Sequence, residues 1–302
     1  AAQVATLVLK KFLSRAFRRP VTAFELRSRV ALVVAEVQRG AKFSTAMLAA
    51  VQSTLLAPQF LFRVEKDRNS SKPWALDGYE LATRLSYFLW SSMPDDALRA
   101  ALARGELQSD AGLQAQIERM LNDPRSRALA DDFASQWLGF REIRRHAVDV
   151  RRFGGFRDSI KNDLYEESAR FFDHLIREDK SLSLLLDAPY TYLSEQTAKH
   201  YGIAGVKGPE IRRVALPNRQ RGGILGMASV LTATSYPLRT SPVQRGKWIL
   251  ENILGDPPSP PPPDAGVLPP DDKGRHNLTL RQQLERHRRD ARCSSCHSKM
   301  DP

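Results

Sequence analysis

The chain has 302 residues, of which 42% are hydrophobic and 26% charged, and its 46 lysines and arginines outnumber its 34 acidic residues. This composition excludes a wholly disordered chain, and the length predicts two or three domains. No apolar run approaches the roughly 18 to 20 residues that a membrane-spanning helix needs, so no transmembrane segment is predicted. The net charge of +12 is spread along the chain, and a solvated basic surface explains it as well as an anionic partner does.

An N-terminal helical domain is predicted over 1–66. The apolar spacing of its first helix predicts one buried face, made of Leu7, Leu9, Phe12, Leu13 and Phe17. Thr22 and Glu25 form a capping box at the start of the second helix, which we expect to end at Gly40. A third helix is predicted over 44–57.

A central helical domain is predicted over 74–205, after a polar stretch rich in helix-breaking residues. Asp77 with Glu80 is expected to cap its first helix. A long amphipathic helix is predicted over 156–177, and its inward face consists of Leu164, Phe171, Phe172, Leu175 and Ile176.

Strand signals are few, and the best are two short runs at 190–193 and 211–216. A C-terminal helical segment is predicted over 206–256. Its glycines at 222, 223 and 226 indicate turns or close packing, because the strand–turn–helix setting of a nucleotide-binding loop is absent. Ser241 and Pro242 then provide a cap and a first turn for its last helix.

A proline-rich linker is predicted over 257–272, and a short haem c attachment unit, which we expect to be incomplete, over 273–302. Polyproline II rises about 3.1 Å per residue, so the linker is a stiff spacer of roughly 40 Å. The predicted fold class is therefore mainly α: multi-helical segments followed by a proline-rich arm and a short c-type haem unit.

The strongest motif is Cys293-Ser-Ser-Cys296-His297, the attachment pattern of c-type haem. Two thiols at this spacing can form thioethers with the two vinyl groups at one porphyrin edge, and the adjacent imidazole can then ligate the iron. The pattern predicts one covalent haem c, held by Cys293 and Cys296, with His297 as the metal ligand.

Two other sites could use the same cysteines. A zinc site would take Cys293, Cys296 and His297 with a fourth ligand such as His287, although zinc ligands are rarely adjacent in sequence. A redox or structural disulfide would use the cysteines alone, without the strand–helix–strand context of a thioredoxin-like dithiol. The histidine directly after the second cysteine favours haem.

His287 is the further candidate for binding the cofactor. It shares one face of the predicted helix before the haem motif with Leu280, Leu284 and Ala291. That face points toward the haem or toward a small local core. His287 would contact the haem in the first case and form a hydrogen bond within the core in the second.

The sixth iron ligand is not expected to be Met300, which follows His297 too closely to reach the other side of the porphyrin. His276 or His287, another part of the protein, a neighbouring subunit or solvent would supply it. The unit 273–302 has eight lysines and arginines against three acidic residues. A basic rim of this kind favours an acidic redox partner, either separate or within a larger complex.

Several longer motifs are familiar. They are Arg18-Arg19-Pro20, the segments 81–90, 200–203 and 235–248, and the proline-rich arm with its CxxCH ending. With them, nearly the whole chain resembles the large exported c-type cytochrome proteins of planctomycetes and related bacteria, which are built from consecutive domains of unknown function. The resemblance implies haem and export but no substrate. Such proteins usually have another cytochrome segment before these domains and continue past Pro302, so we expect part of the distal haem pocket to be missing here.

Two charged clusters carry weaker signals. One cluster lies on the long helix and could form a metal or acid–base site with His200. A solvated helix face with ion pairs between neighbouring side chains is favoured instead. The cluster contains Asp163, Glu166, Glu167, Asp173 and His174. The other could bind phosphate, but no nucleic-acid-binding fold accompanies it; it consists of Arg141, Arg144, Arg145, Arg151 and Arg152. No nucleic-acid partner is predicted.

The predicted function is that of a c-type cytochrome, an electron-transfer subunit or domain of an exported redox protein complex. Haem c is attached outside the bacterial cytoplasm, which predicts a periplasmic or otherwise exported protein. One alternative is a substrate oxidoreductase, directed at a carbohydrate for example, that uses the haem as its electron exit. Another is a structural or binding module with zinc at the CxxCH motif. An electron carrier is favoured over a stand-alone enzyme because no nucleophile–base pair, flavin motif or quinone-cofactor motif is found.

Overall fold

The computed structural model describes residues 1–149, 151–260 and, nearer the C-terminus, 279, 281, 282, 285, 299 and 300. The chain divides into two compact units, 1–126 and 127–302. Helices dominate, and the strands among the described residues form one two-stranded sheet, so the predicted mainly α fold is confirmed. Most of the predicted proline-rich linker and haem unit lies outside the described residues, and the predicted domain boundaries stay predictions. No helix in the described part of the chain is long and apolar enough to cross a membrane.

The first unit is built from helices. In chain order they are α1 Ala2–Ala16, α2 Ala23–Gln38, α3 Phe43–Leu55, α4 Pro58–Leu61, α5 Gly78–Trp90, α6 Asp96–Ala103, a 3₁₀ turn Glu106–Gln108 and α7 Asp110–Asn122. The fully buried side chains of Leu9 and Leu13 in α1 pack with Val33 of α2 and with Ala46 and Ala50 of α3. This apolar cluster forms the core of the first three helices.

The predicted buried face of α1 is right at Leu9, Leu13 and Phe17 but wrong at Leu7, which is 74% exposed. Phe12, also predicted on this face, is partly exposed. Each residue turns by about 100° around a helix. Leu7 therefore lies about 200° from Leu9, on the opposite side of α1. Ala5 and Ala16 complete the buried face instead.

Both predicted capping boxes are confirmed. The backbone amide of Glu25 donates to the Thr22 hydroxyl, and the Glu25 carboxylate accepts from the Thr22 amide at 2.8 Å. Asp77 and Glu80 make the same reciprocal pair at the start of α5. These bonds satisfy amides that would otherwise lack partners, and so fix where α2 and α5 begin.

Arg18, the second residue after α1, has a φ of +59°, a conformation that is uncommon for residues other than glycine. Its side chain is buried. The guanidinium donates to the carbonyl oxygens of Gln59 at 2.7 Å and Phe62 at 2.8 Å. Carbonyls at the end of a helix lack partners within it, so Arg18 ties the end of α1 to the end of α4.

The second unit contains the following elements in chain order. They are a π-helical turn Leu129–Ala134, α8 Ser135–Trp137, a 3₁₀ turn Phe140–Arg144, α9 Asp158–Arg177, α10 Ser183–Leu186, β1 Tyr190–Leu193, α11 Glu195–Tyr201, β2 Arg212–Ala215, 3₁₀ turns Arg219–Arg221 and Ile224–Gly226, α12 Ala228–Ala233, α13 Pro242–Trp248 and a π-helical turn Ile249–Leu254. Helix α9 lies at the centre of this unit, contacting α10, α11, α12 and β1. Of its predicted inward face, Leu164, Phe171, Phe172 and Leu175 are buried, whereas Ile176 is partly exposed.

The two predicted strands are confirmed and pair antiparallel, from Tyr190 opposite Ala215 to Leu193 opposite Arg212. The glycines before α12 serve close packing, as predicted. Gly223 has a φ of +69°, and a Cβ there would lie 2.3 Å from the carbonyl oxygen of Leu186. A side chain at this position would therefore displace the end of α10.

Candidate functional site

The residues predicted to bind haem lie outside the described residues; they are Cys293, Cys296, His297 and His287. Haem attachment and iron ligation therefore stay predictions. Within the described ranges, no group of three or more His, Cys, Asp or Glu residues could hold a metal ion. The described part of the chain does form one polar site, which is centred on the buried carboxyl of Glu167 in the middle of α9.

The burial of Glu167 corrects the prediction that it belongs to a solvated face. Only 1% of this residue is exposed. It lies on the apolar stripe of α9, three residues after Leu164 and four before Phe171. Glu166 and Asp173, by contrast, pair with arginines one turn away, as on a solvated face. The register with Leu164 and Phe171 is the sequence signal that identifies Glu167 as buried.

Both carboxylate oxygens of Glu167 are engaged. The Thr191 hydroxyl of β1 donates to Oε1 at 2.6 Å, and the Tyr201 hydroxyl at the end of α11 donates to Oε2 at 2.5 Å. The phenol oxygen of Tyr201 in turn accepts a hydrogen bond from the backbone amide of Ala228 at 2.8 Å. A single chain of hydrogen bonds therefore connects α9, β1, α11 and the first residue of α12.

Burial governs the electrostatics of this chain of hydrogen bonds. Loss of hydration raises the pKa of Glu167 to about 7, against the opposing effect of the hydrogen bonds from Thr191 and Tyr201. Burial, together with the neighbouring Glu167 carboxylate, raises the pKa of Tyr201 well above its ordinary value. The carboxyl is therefore the group of this pair that exchanges a proton near neutral pH.

Two further contacts complete the network. The guanidinium of Arg221 lies over the Tyr201 ring, 4.4 Å from its centroid, as a cation–π contact. Beside Glu167, the hydroxyls of Ser168 and Ser229 lie 2.6 Å apart, both in fully buried residues. The network can hold a proton and join four elements, but its carboxylate oxygens are occupied by protein donors and enclosed, so no substrate reaches them.

His200 and Asp163 line a groove of about 1090 Å³, and the ring centroid of His200 lies 5.7 Å from that of Tyr201 in the Glu167 network. Phe156, from the loop before α9, lies with its ring centroid 6.0 Å from that of His200. The Ser194 hydroxyl donates to Asp163 at 2.5 Å. The pKa of His200 is lowered by burial and by the positive charge of Arg221. The predicted cluster is thus divided: Glu167 is enclosed, whereas Asp163 and His200 face the groove.

Three family models match consecutive parts of the chain. Residues 4–65 match a protein of unknown function (DUF1595), residues 76–203 match DUF1592, and residues 221–302 match DUF1588. The third match includes the Cys293–His297 motif in its range. Neither a curated protein nor a solved structure matches the chain.

The Glu167 network lies in the second of these matches through Thr191 and Tyr201, and reaches the third through Ala228. The names of the three models assign no activity to any of these residues. The succession of the three domains is nevertheless informative about the kind of protein. The chain has three consecutive domains of unknown function, in an arrangement typical of planctomycete cytochrome-c-like proteins.

Proposed function

We propose that the protein is a c-type cytochrome, an electron-transfer subunit or domain of an exported redox protein complex. The observation that carries the proposal is Cys293-Ser-Ser-Cys296-His297, inside the range of the third family match. Two thiols and an adjacent imidazole are the donor set that covalent haem requires. Cys293 and Cys296 would hold the porphyrin and His297 the iron. The bound haem would supply one-electron chemistry.

The enclosure of Glu167 removes it as a candidate acid–base group for chemistry on a substrate. A substrate oxidoreductase needs an acid–base group that its substrate can approach. Glu167 has the appropriate pKa but is enclosed, and both of its oxygens already accept hydrogen bonds. What it contributes is the connection of four elements of the second unit.

Haem attachment is tested by alkaline pyridine haemochrome spectroscopy on the intact protein. The wild type should show the spectrum of a c-type haem, and Cys293→Ala/Cys296→Ala should lose it. The matched control, Ser294→Ala/Ser295→Ala, changes the two residues between the cysteines and should keep the spectrum. A wild-type protein without haem but with stoichiometric zinc would overturn the proposal in favour of the zinc module.

The substrate oxidoreductase is tested on the same preparation. If the protein is an electron carrier, incubation with candidate donors, carbohydrates among them, leaves the oxidised haem spectrum unchanged until a reduced redox protein is added. Reduction of the haem by a carbohydrate and the purified chain alone would establish the enzyme instead.

The exported location is part of the proposal, since attachment of haem c occurs outside the bacterial cytoplasm. Fractionation of cells that produce the full-length protein should place the haem-bearing form in the periplasmic or extracellular fraction. A haem-bearing form confined to the cytoplasm would contradict it.

A further inference from the structure

One segment of the second unit is strongly basic. Over 127–260, twenty lysines and arginines face sixteen acidic residues, an excess of four. The segment 141–157 alone contains six arginines against Glu142 and Asp149, which is the same excess. The basic segment, as residues 141–157 are called below, therefore carries a net charge of +4, as does the stretch 207–221, where five lysines and arginines face Glu210.

The local fold directs these arginines outward. In the 3₁₀ turn Phe140–Arg144, the side chains of Phe140 and Ile143 are fully buried. Three residues complete each turn of such a helix, so the burial of these two leaves the side chains between and after them in solvent. All six arginines of the basic segment are exposed; they are Arg141, Arg144, Arg145, Arg151, Arg152 and Arg157.

Few acidic groups neutralise this surface. Arg141, Arg145, Arg151 and Arg157 make no ion pair with any described residue. Asp149 uses its carboxylate within the segment, where it accepts the backbone amides of Arg151 and Arg152.

The groove described above borders the basic segment. Phe153 and Phe156 line it from the loop before α9, and Phe153 is 42% exposed. The acidic residues of the groove already have partners: Glu195 pairs with Lys199 at 2.7 Å, and Asp163 accepts from Ser194. The groove thus has an aromatic wall beside the basic segment, and of its two acidic residues Glu195 is neutralised by Lys199 whereas Asp163 keeps its charge.

We propose that the basic segment and the groove together form a docking surface for an acidic segment of a protein partner. Carboxylates of the partner would pair with the arginines, whose planar guanidinium groups suit bidentate contact. An apolar or aromatic side chain of the same segment would enter the groove and pack on Phe153. None of the residues named in this proposal belongs to 273–302, and the binding test does not require haem, so the proposal stands or fails independently of the proposed function.

Binding is measured by fluorescence anisotropy on the full chain with a fluorescein-labelled peptide. The probe is a peptide of about twelve residues, rich in glutamate with one central phenylalanine, in about 0.1 M salt, where charges beyond about 10 Å are screened. Arg141→Gln/Arg145→Gln/Arg151→Gln should weaken binding about tenfold. The control Lys10→Gln/Lys11→Gln/Arg27→Gln removes three exposed charges from the first unit and should change affinity less than about twofold.

Phe153→Ala tests whether the groove participates. It should weaken binding of the phenylalanine peptide about fivefold, and leave binding of the same peptide with alanine at the centre unchanged. Circular dichroism and thermal unfolding check that every variant is folded.

Three results would overturn the proposal. Equal weakening by the two triple variants would mean that only net charge attracts the peptide, and absence of binding would remove the surface altogether. Tighter binding to phosphatidylglycerol vesicles than to the peptide, lost with the same three arginines, would assign the surface to a membrane.

Discussion

The phenol of Tyr201 connects a buried carboxylate to a backbone amide: it donates to Glu167 at 2.5 Å and accepts from Ala228 at 2.8 Å. Each of the three groups is thereby supplied with a partner, and the residue at the centre, Glu167, is only 1% exposed. An unpaired buried carboxylate costs several kcal/mol, so the two side chains depend on each other. Two predictions follow from this pair, and two more concern Glu25 and the leucines of α1 in the first unit.

The first prediction concerns the pH dependence of stability. The pKa of Glu167 is raised from 4.5 to about 7, so between these values the folded protein binds more protons than the unfolded one. The free energy of unfolding should therefore fall as pH rises through this window, by about 3 kcal/mol at about 1.4 kcal/mol per unit. Urea unfolding at several pH values measures this fall in stability, and hydrogen exchange of α9 peptides assigns it to the second unit. Glu167→Gln should remove the slope and the neighbouring Glu166→Gln should keep it; a slope that persists in Glu167→Gln would contradict the prediction.

The second prediction concerns the hydroxyl of Tyr201. Tyr201→Phe leaves the Ala228 amide and one carboxylate oxygen without partners, which should lower the free energy of unfolding by about 2–3 kcal/mol. Loss of a donor to the charged carboxylate should also raise the pKa of Glu167 further and extend the pH-dependent window to higher pH. Tyr79→Phe, at a position 42% exposed, serves as control and should change stability by less than about 0.5 kcal/mol. Similar effects of the two variants would show that the phenol of Tyr201 is not engaged.

The third prediction is a pH dependence of opposite sign in the first unit. Hydrogen bonds from Arg19 lower the pKa of Glu25 to about 2, so its contribution is present above pH 4.5 and is lost as pH falls toward 2. Because the Arg19 side chain is 35% exposed, water screens the pair, and we expect about 1 kcal/mol. Acid titration of Glu25→Gln, followed by hydrogen exchange of α2 peptides, should show a shallower loss of stability than wild type. An unchanged acid transition in this variant would exclude the contribution.

The fourth prediction compares two leucines of α1. Leu9→Ala creates a cavity in the core of the first three helices and should lower the free energy of unfolding of the first unit by about 3 kcal/mol. Leu7→Ala, on the exposed side of the same helix, should change it by less than about 0.5 kcal/mol. The two substitutions remove the same atoms, so urea unfolding of both variants separates burial from helix propensity. Equal destabilisation would mean that the two faces of α1 have been interchanged.

Local signals in the sequence are sufficient where they act over three or four residues. The capping boxes at Thr22 and Asp77 are signalled by neighbours in the chain, and the structure has them as predicted. The strands predicted over 190–193 and 211–216 are likewise found, the second over 212–215. The left-handed backbone at Arg18 could not be predicted in this way. It depends on carbonyl groups more than forty residues away.

The candidate site was predictable in part. The position of Glu167 between Leu164 and Phe171 indicates burial, but the surrounding charges suggest a solvated face when they are counted without the helical period. Its partners Thr191 and Tyr201 come from other elements, 24 and 34 residues away, and single-sequence patterns contain no information on such contacts. The haem motif, by contrast, is predicted from spacing alone, because both cysteines and the histidine lie within five residues.

The geometry at Arg18 restricts which residues this position can accept. Glycine would adopt the backbone conformation without strain but would leave the carbonyls of Gln59 and Phe62 without their donor. Lysine has one terminal amine, which cannot reproduce the fork of a guanidinium that reaches several oxygens at once. Neither glycine nor lysine can therefore replace Arg18. Proteins that share this helix junction should tolerate almost no exchange at this position.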